Sequence, residues 1–318
     1  MKEITVNAND AGQRLDKFIS KTLPAVPNSL LYKYIRTKRI KVNGKRTKEN
    51  YVLCKNDVVS LFVPEEFLQP KKEGAFRRIK APVTVRYEDE NVIIVHKQKG
   101  LLCHSESPSD TDTLADRIKA YLYNKGEYVP EEENSFAPAL CNRIDRNTEG
   151  LVIAAKNAAA LREMNAIIRC REVRKFYLAA CHGLFDKREG EIRSFLEKDA
   201  ANNLVTVREK PNKNTVTAVT KYRVESQNRA LELSLLRVEL LTGRTHQIRA
   251  QLAHIGHPLL GDGKYAVNKA DRKMGYTSQS LCSYSLRFEF KSTEDKPALA
   301  YLNGLEITTD KPDFVKLF

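Results

Sequence analysis

The sequence predicts an α+β fold, a mixed and mostly antiparallel sheet preceded by a smaller α/β unit. Three observations carry that expectation. At 318 residues the chain exceeds one average domain, which favours two unequal units. Its strand-like segments do not alternate regularly with helical ones, which argues against a parallel βαβ sheet. Hydrophobic residues make up 42% and charged residues 30% of the chain, close to ordinary folded proteins and far from a disordered composition.

The small unit is expected over residues 1–66. There QRLDKFISKTL and NSLLYKYIRTKR repeat apolar residues at helical spacing, IKVNGK and DVVSLFV read as strands, and Asn43-Gly44 marks a hairpin turn. Residues 67–80, containing LQPKKEGAFRRIK, combine Pro, Gly and charge without apolar periodicity and read as a linker. The large unit, residues 81–318, opens with VTVRYEDENVIIVHKQKG, two strands around Glu88-Asp89-Glu90-Asn91. LVIAAK, KFYLAACHG, TAVTKYRVES and LELSLLRVELLTG are further strands, and AAALREMNAIIR and RTHQIRAQLAHIG are helices.

Lys and Arg outnumber Asp and Glu by 54 to 40, a formal charge of +14 that favours a polyanionic partner. The excess is local. Between Lys33 and Lys48 stand eight basic residues (Lys33, Arg36, Lys38, Arg39, Lys41, Lys45, Arg46, Lys48) and no acidic one. A solvated helix face usually mixes signs, whereas an unbroken cationic run repels itself and suits a phosphate-facing surface. The first residues lack the apolar core of a signal peptide, and VIIV and LVIAA are too short to span a bilayer, so a cytoplasmic chain without membrane contact is expected. The six cysteines form no C-x-x-C pair and have no regular spacing, which indicates neither zinc site nor disulfide frame.

Two segments carry chemistry. In CNRIDRNTEGLVIAAK, Asp145 lies between Arg143 and Arg146 just before a buried-looking strand. Nearby guanidinium groups favour an ionised carboxylate, which can act as nucleophile or base, or can simply salt-bridge a loop. In VELLTGRTHQIRAQLAHIG, Ile248, Leu252 and Ile255 share a helical stripe and put Arg249 at its edge, where a planar cation can pair bidentately with a carboxylate or phosphate. His246 and His254 lack Glu or Cys at metal-ligand spacing and read as hydrogen-bonding or nucleic-acid-contacting groups.

The first unit resembles the αL-type RNA-binding domain through Arg14, Leu15, Asp16 and Phe18 and the stretch R-x-x-R-I-K-V-N-G-K from Arg36 to Lys45. The second resembles the RluA family of pseudouridine synthases. The signature H-R-L-D-x-x-T-S-G stands as Asn142-Arg143-Ile144-Asp145-Arg146-Asn147-Thr148-Glu149-Gly150, and G-R-T-H-Q-I-R is intact from Gly243 to Arg249, followed by Gly256-His257-Pro258 and Gly261-Asp262. K-x-Y is Lys175-Phe176-Tyr177, and K-P-x-G-L-x-x-H runs from Lys97 to His104. Asn142, Gln98, Glu149 and Cys282 depart from the family's usual His, Pro, Ser and His, and Glu149 is expected to set specificity or to face Arg146.

The resemblance implies an enzyme that isomerises uridines in structured RNA, ribosomal RNA of the large subunit above all. Asp145 would be its nucleophile, Tyr177 would stack on the target base, and Arg249 would pair with the catalytic carboxylate. Arg143, Thr148, Arg244, His246 and Gln247 would meet the substrate, and Lys33, Arg36, Lys38, Arg39, Lys41, Lys45 and Arg46 would bind the RNA. The isomerisation is redox-neutral, so neither cofactor nor metal is expected, and a monomer is expected to suffice. The alternative is a non-catalytic RNA-binding or ribosome-assembly protein on the same fold, whose Asp145 only completes a salt-bridge network. A nuclease or methyltransferase would need a metal-carboxylate cluster or a Gly-rich cofactor loop that the sequence lacks.

Overall fold

The strand-like segments assemble into two sheets in the computed structural model, which describes residues 1–68, 74–107, 109–199 and 201–318. The first region runs β1 (Lys2–Thr5), α1 (Leu15–Thr22), α2 (Asn28–Arg36), β2 (Ile40–Val42), β3 (Lys45–Arg46) and β4 (Val58–Leu61). Its strands lie antiparallel in the order β1-β4-β2-β3. Leu15, Phe18 and Ile19 of α1 and Leu31, Tyr34 and Ile35 of α2 are buried in one core with Ile40, Val42, Val59 and Leu61 of the sheet. At the β2–β3 turn Asn43 and Gly44 have φ of 53° and 72°. That left-handed pair is what a two-residue hairpin with native twist requires, and Asn-Gly adopts it with little steric penalty.

The cations of this region point outward. Lys33, Arg36, Lys38, Arg39, Lys45 and Arg46 are exposed, and Lys41 is half-buried with its ammonium 5.3 Å from the centre of the exposed Phe62 ring. Among the described residues none of the seven pairs with a carboxylate, so their charge is directed at solvent or a ligand.

The second region comprises β5 (Thr84–Glu88), β6 (Val92–Lys97), α3 (Leu114–Asn124), β7 (Ala139–Leu140), β8 (Glu149–Ala155), α4 (Ala158–Arg169), β9 (Val173–His182), β10 (Glu189–Asp199), β11 (Leu204–Arg208), β12 (Thr215–Asn228), β13 (Leu233–Leu240), α5 (Gln247–His254), α6 (Lys269–Lys273), β14 (Leu281–Phe288) and β15 (Glu306–Thr308). The sheet order is β11-β10-β12-β13-β9-β14-β8-β6-β5, with β7 on β8 and β15 on β14. The β14–β8 pairing is parallel and the others are antiparallel. The fold is therefore mixed and mostly antiparallel.

Strand β8 explains why LVIAA is apolar without interruption: it is covered on both faces. Leu151, Ile153 and Ala155 pack with Ala160, Met164 and Ile167 of α4, while Val152 and Ala154 pack with Leu114, Ile118 and Leu122 of α3 and Ile248 and Leu252 of α5. The parallel step needs a glycine. Gly150 has φ of +114°, and a Cβ there would stand 2.2 Å from the Ser283 carbonyl oxygen. Without a side chain β8 closes onto β14, and the loop that precedes β8 comes to lie beside the start of β14.

Residues 69–73 of the expected linker lie outside the described residues. Further along it, Ala75–Arg78 form a 3-10 turn whose Phe76 is buried, its ring centre 6.0 Å from Tyr123 and 5.9 Å from Tyr128. Burying a Phe contributes about 1.5–3 kcal/mol, enough to tie this part of the segment to the large core. The two regions also touch through polar groups. Asp10 is wholly buried and accepts from Asn134 Nδ2 and Ser135 Oγ, each at 2.6 Å, while Arg162 of α4 donates to the Ala11 carbonyl at 3.1 Å. Among the described residues no helix is long and apolar enough to cross a membrane.

Candidate active site

Asp145 stands on the loop ahead of β8, and the chain fastens this loop from several sides. The Thr148 amide donates to the Asp145 carbonyl at 3.0 Å, and Asn142 Oδ1 accepts from the Ile153 amide at 2.8 Å. Lys97, fully buried at the end of β6, donates to the carbonyls of Gln98 at 3.0 Å, Leu101 at 2.8 Å and Arg146 at 2.8 Å. Burial pushes its pKa down to about 8, and the three carbonyls take up its donors. The lysine thus staples the 98–101 turn to the loop of Asp145.

The expected pairing of Asp145 with its sequence neighbours is not formed. Arg143 and Arg146 are both exposed, and Arg146 Nε donates instead to the Gly100 carbonyl at 3.0 Å. The cation at Asp145 is Arg249, whose Nη1 donates to Oδ2 at 3.1 Å. Arg249 was expected at the edge of an apolar stripe, yet it is only 7% exposed, while Ile255 of that stripe is 39% exposed. The reason is that α5 is enclosed nearly all round, with its polar side chains satisfied inside. Gln251 donates to Ser194 Oγ at 2.8 Å and accepts from Thr220 Oγ1 at 2.6 Å.

The bidentate partner of Arg249 is Asp262, not Asp145. Nε and Nη2 of the guanidinium donate to the two carboxylate oxygens of Asp262 at 2.7 and 2.9 Å, leaving Nη1 for Asp145. Burial opposes the charge on Arg249, but the bonds and charge of Asp262, with Asp145 behind them, outweigh it and raise its pKa. Burial likewise opposes the charge on Asp262, and Arg249 together with the Lys264 and Tyr265 amides holds its pKa below the ordinary carboxylate value. Arg249 also lies 5.2 Å over the Tyr265 ring. The Asp262 fork and the ring beneath it therefore fix the direction in which Nη1 reaches Asp145.

His246, the residue before α5, has φ of 50°, a conformation that strains a residue with a Cβ and persists where surroundings impose it. Its Nδ1 is 2.8 Å from Tyr265 Oη, which accepts from the Val205 amide at 3.0 Å, and its Nε2 faces Asp145 Oδ2 at 3.9 Å. Burial lowers its pKa, more than the charge of Asp145 raises it.

Asp145 borders two cavities. The inner one, about 310 Å3, is walled by Ile144, Tyr177, Leu240, Ile248 and Leu281. The outer one, about 970 Å3, is a larger basin whose lining includes Arg143, Arg146, Lys198, Lys264 and Arg272. Binding sites for one small molecule occupy roughly 300–1,000 Å3, so the inner pocket suits a single base and the basin a stretch of strand. Tyr177 on β9 is buried in the wall of the inner pocket, and burial pushes its phenol pKa well above the ordinary value.

The other expected substrate contacts divide. Arg143 and Arg244 are exposed at the pocket, and Thr148 lies in its wall, accepting from Gln279 Nε2 at 3.3 Å. Gln247, also expected to meet substrate, has its amide filled by the protein. Oε1 accepts from Thr242 Oγ1 and the Arg244 amide, and Nε2 donates to the Val219 carbonyl and Thr220 Oγ1. It shapes the loop before α5 instead.

Glu149 pairs with Lys99 at 3.2 Å and not with Arg146, and Cys282 is buried on the far side of β14 from the pocket, with Leu178 and Phe314. Among the described residues no cluster of His, Cys, Asp or Glu is arranged to hold a metal ion. Sequence reasoning gave no role to Asp262 or Tyr265. Their only signal was Gly261-Asp262 following the G-R-T-H-Q-I-R run.

Comparison with known proteins identifies the family. Residues 91–254 match the RNA pseudouridylate synthase family and residues 13–59 match the S4 domain. An RNA pseudouridine synthase of Mycoplasma capricolum is 33% identical over 99% of both chains. The ribosomal large subunit pseudouridine synthase C of Haemophilus ducreyi is 30% identical over 92% of this chain and 89% of its own. The solved structure of human RNA pseudouridylate synthase domain containing 1 shares the fold, with a TM-score of 0.57 at 20% identity over 74% of this chain and 86% of that one. The chain belongs to the RNA pseudouridylate synthase family, as an enzyme that isomerises uridine in RNA and carries an S4 domain at its N-terminus.

Proposed function

We propose that Asp145 is the catalytic carboxylate of this synthase, that Tyr177 provides the stacking face for the displaced base, and that Arg249 aims the carboxylate. The observation that carries the reading is that Asp145 lines both a base-sized pocket and a larger cationic basin, with Arg249 Nη1 on its carboxylate. A uridine leaving its stack enters the pocket while the strand stays in the basin, and an aromatic wall replaces the lost stacking. The bond between ribose C1′ and uracil N1 then breaks, and C1′ joins C5. The C5 proton leaves to solvent and N1 takes one up, so the net change is an isomerisation. A carboxylate serves this chemistry by bonding to an oxocarbenium-like ribose or by adding to the uracil ring and leaving.

The substrate in this reading is structured RNA of the large ribosomal subunit, which places the enzyme in the cytoplasm. Relatives named ribosomal large subunit pseudouridine synthase C support it. Residues 1–66 act as the RNA-binding domain, residues 67–80 join it to the rest, and residues 81–318 do the chemistry. A monomer suffices in this reading. Mapping pseudouridines in large-subunit RNA from cells with and without the gene tests the substrate: sites that vanish with the gene support it, and an unchanged map refutes it.

The cationic run supplies affinity, not chemistry. Replacing Lys33, Arg36, Lys38 and Arg39 together by Gln should weaken RNA binding and flatten the slope of log affinity against log salt by about 0.7 for each phosphate that is no longer neutralised. An unchanged slope would remove this surface from the RNA path. Turnover at saturating enzyme should stay close to wild type.

A further inference from the structure

Among the described residues, one half-buried cation of the inner pocket has no hydrogen-bond partner. Lys175 precedes Tyr177 by two positions on β9, so both side chains lie on the same face of the strand, and both line the pocket beside Asp145. Lys175 is half-buried, and among the described residues no carboxylate, carbonyl or hydroxyl accepts a hydrogen bond from it. Its ammonium is 3.9 Å from where a Cβ on Gly243 would stand, at the turn that opens the G-R-T-H-Q-I-R loop. The contrast with Lys97 is plain, since that lysine gives its donors to three carbonyls.

The other pocket cations are placed differently. Arg249 is held by Asp262 and Asp145. Arg143 and Arg244 are exposed, and Arg244 Nε donates to the Thr217 carbonyl at 3.3 Å. Lys175 is half-buried in the pocket wall, where burial lowers its pKa and no neighbouring carboxylate offsets that. A half-desolvated ammonium to which the described protein groups offer no acceptor is free to donate to the group that enters the pocket.

Resting on the reading of Asp145 above, we propose that Lys175 donates to a carbonyl oxygen of the target uracil and stabilises the negative charge the base acquires during the reaction. When the C1′–N1 bond breaks, its electron pair stays with the base and spreads from N1 to O2 and O4. When a carboxylate adds to the ring instead, the pair moves onto O4. On either route charge gathers on a uracil oxygen, and a fixed donor there favours the transition state over the neutral base. Lys175 keeps its proton throughout, and the C5 proton leaves to solvent as before.

The test uses the full-length protein and large-subunit RNA transcribed in vitro with tritium at uracil C5, whose release reports the reaction in single-turnover assays at saturating enzyme. Lys175→Met, which keeps length and loses charge, should slow release by about 100-fold while RNA affinity stays within about threefold. Its thermal stability should equal or exceed wild type, and Lys175→Arg should recover about tenfold or more of the lost rate. A Lys175→Met rate within about threefold of wild type would overturn the proposal. So would a loss confined to affinity, which would make Lys175 a phosphate ligand, or an Arg variant no faster than Met. Asp145→Asn run alongside separates the two readings: turnover in that variant refutes the role of Asp145, whereas its inactivity beside a fast Lys175→Met refutes only the role of Lys175.

Discussion

Asp145→Asn should abolish pseudouridine formation, by about 10⁴-fold or more, while the protein stays folded and still binds its RNA. A loss of that size corresponds to more than about 5 kcal/mol of transition-state stabilisation, the scale expected when a nucleophile becomes an amide. The structure separates this effect from stability. Asn keeps the size of Asp, and its Oδ1 can still accept from Arg249 Nη1. Arg249 also retains both hydrogen bonds to Asp262, so no buried cation is left alone. The Asp145 side chain is 24% exposed, and exchanging one partly exposed hydrogen bond for another costs about 1 kcal/mol or less. RNA affinity should hold or rise slightly, because a negative charge facing phosphates is gone. Tritium release and RNA binding measured on one preparation decide the matter. Turnover that survives in Asp145→Asn would take the chemistry away from this carboxylate and leave RNA recognition untouched.

Elements whose signal is local were legible in the sequence. The helices α1 and α2 follow from apolar spacing, and the β2–β3 turn follows from Asn43-Gly44, because a pair of positive φ values restricts residue choice strongly. Strand β1 was not foreseen, since its four residues bury only Ile4. Nor was α3, although Thr113 caps it by accepting from the Asp116 amide, a T-x-x-D spacing that carries a start signal. Strand β10 was hidden by its charged face, where Glu189, Glu191 and Arg193 alternate along an exposed part of the sheet.

The site was legible in its parts and not in its pairings. Asp145 and Arg249 stand where the motifs pointed, yet the guess that Arg143 and Arg146 would hold Asp145 used sequence distance in place of spatial distance. Likewise an apolar stripe predicts which face of a helix is buried only when the other face meets water. In α5 the other face meets Thr220, Thr242 and Ser194, so Gln247, Arg249 and Gln251 go inside with their bonds satisfied. No local pattern announces that.

Arg249→Ala should lower turnover by about 10³-fold and destabilise the fold as well. Removing the guanidinium leaves Asp262, 1% exposed, as a buried carboxylate without its cation, and breaking such a pair costs about 3–5 kcal/mol of stability. A fall in activity from unfolding would mimic a fall from lost aim. Arg249→Lys is the gentler variant: a single ammonium can serve Asp262 or Asp145 but cannot reproduce a fork that serves both, so partial activity is expected. The decisive variant is Arg249→Ala combined with Asp262→Asn, which removes the orphaned charge together with the cation. Thermal stability should return toward wild type, because the two substitutions act on one pair and are strongly non-additive. Turnover should not return, because His246 Nε2, 3.9 Å from Asp145 Oδ2, is too distant to replace the hydrogen bond from Nη1. If the double variant regained activity along with its melting temperature, Arg249 would be a structural residue whose effect on chemistry passes only through the fold.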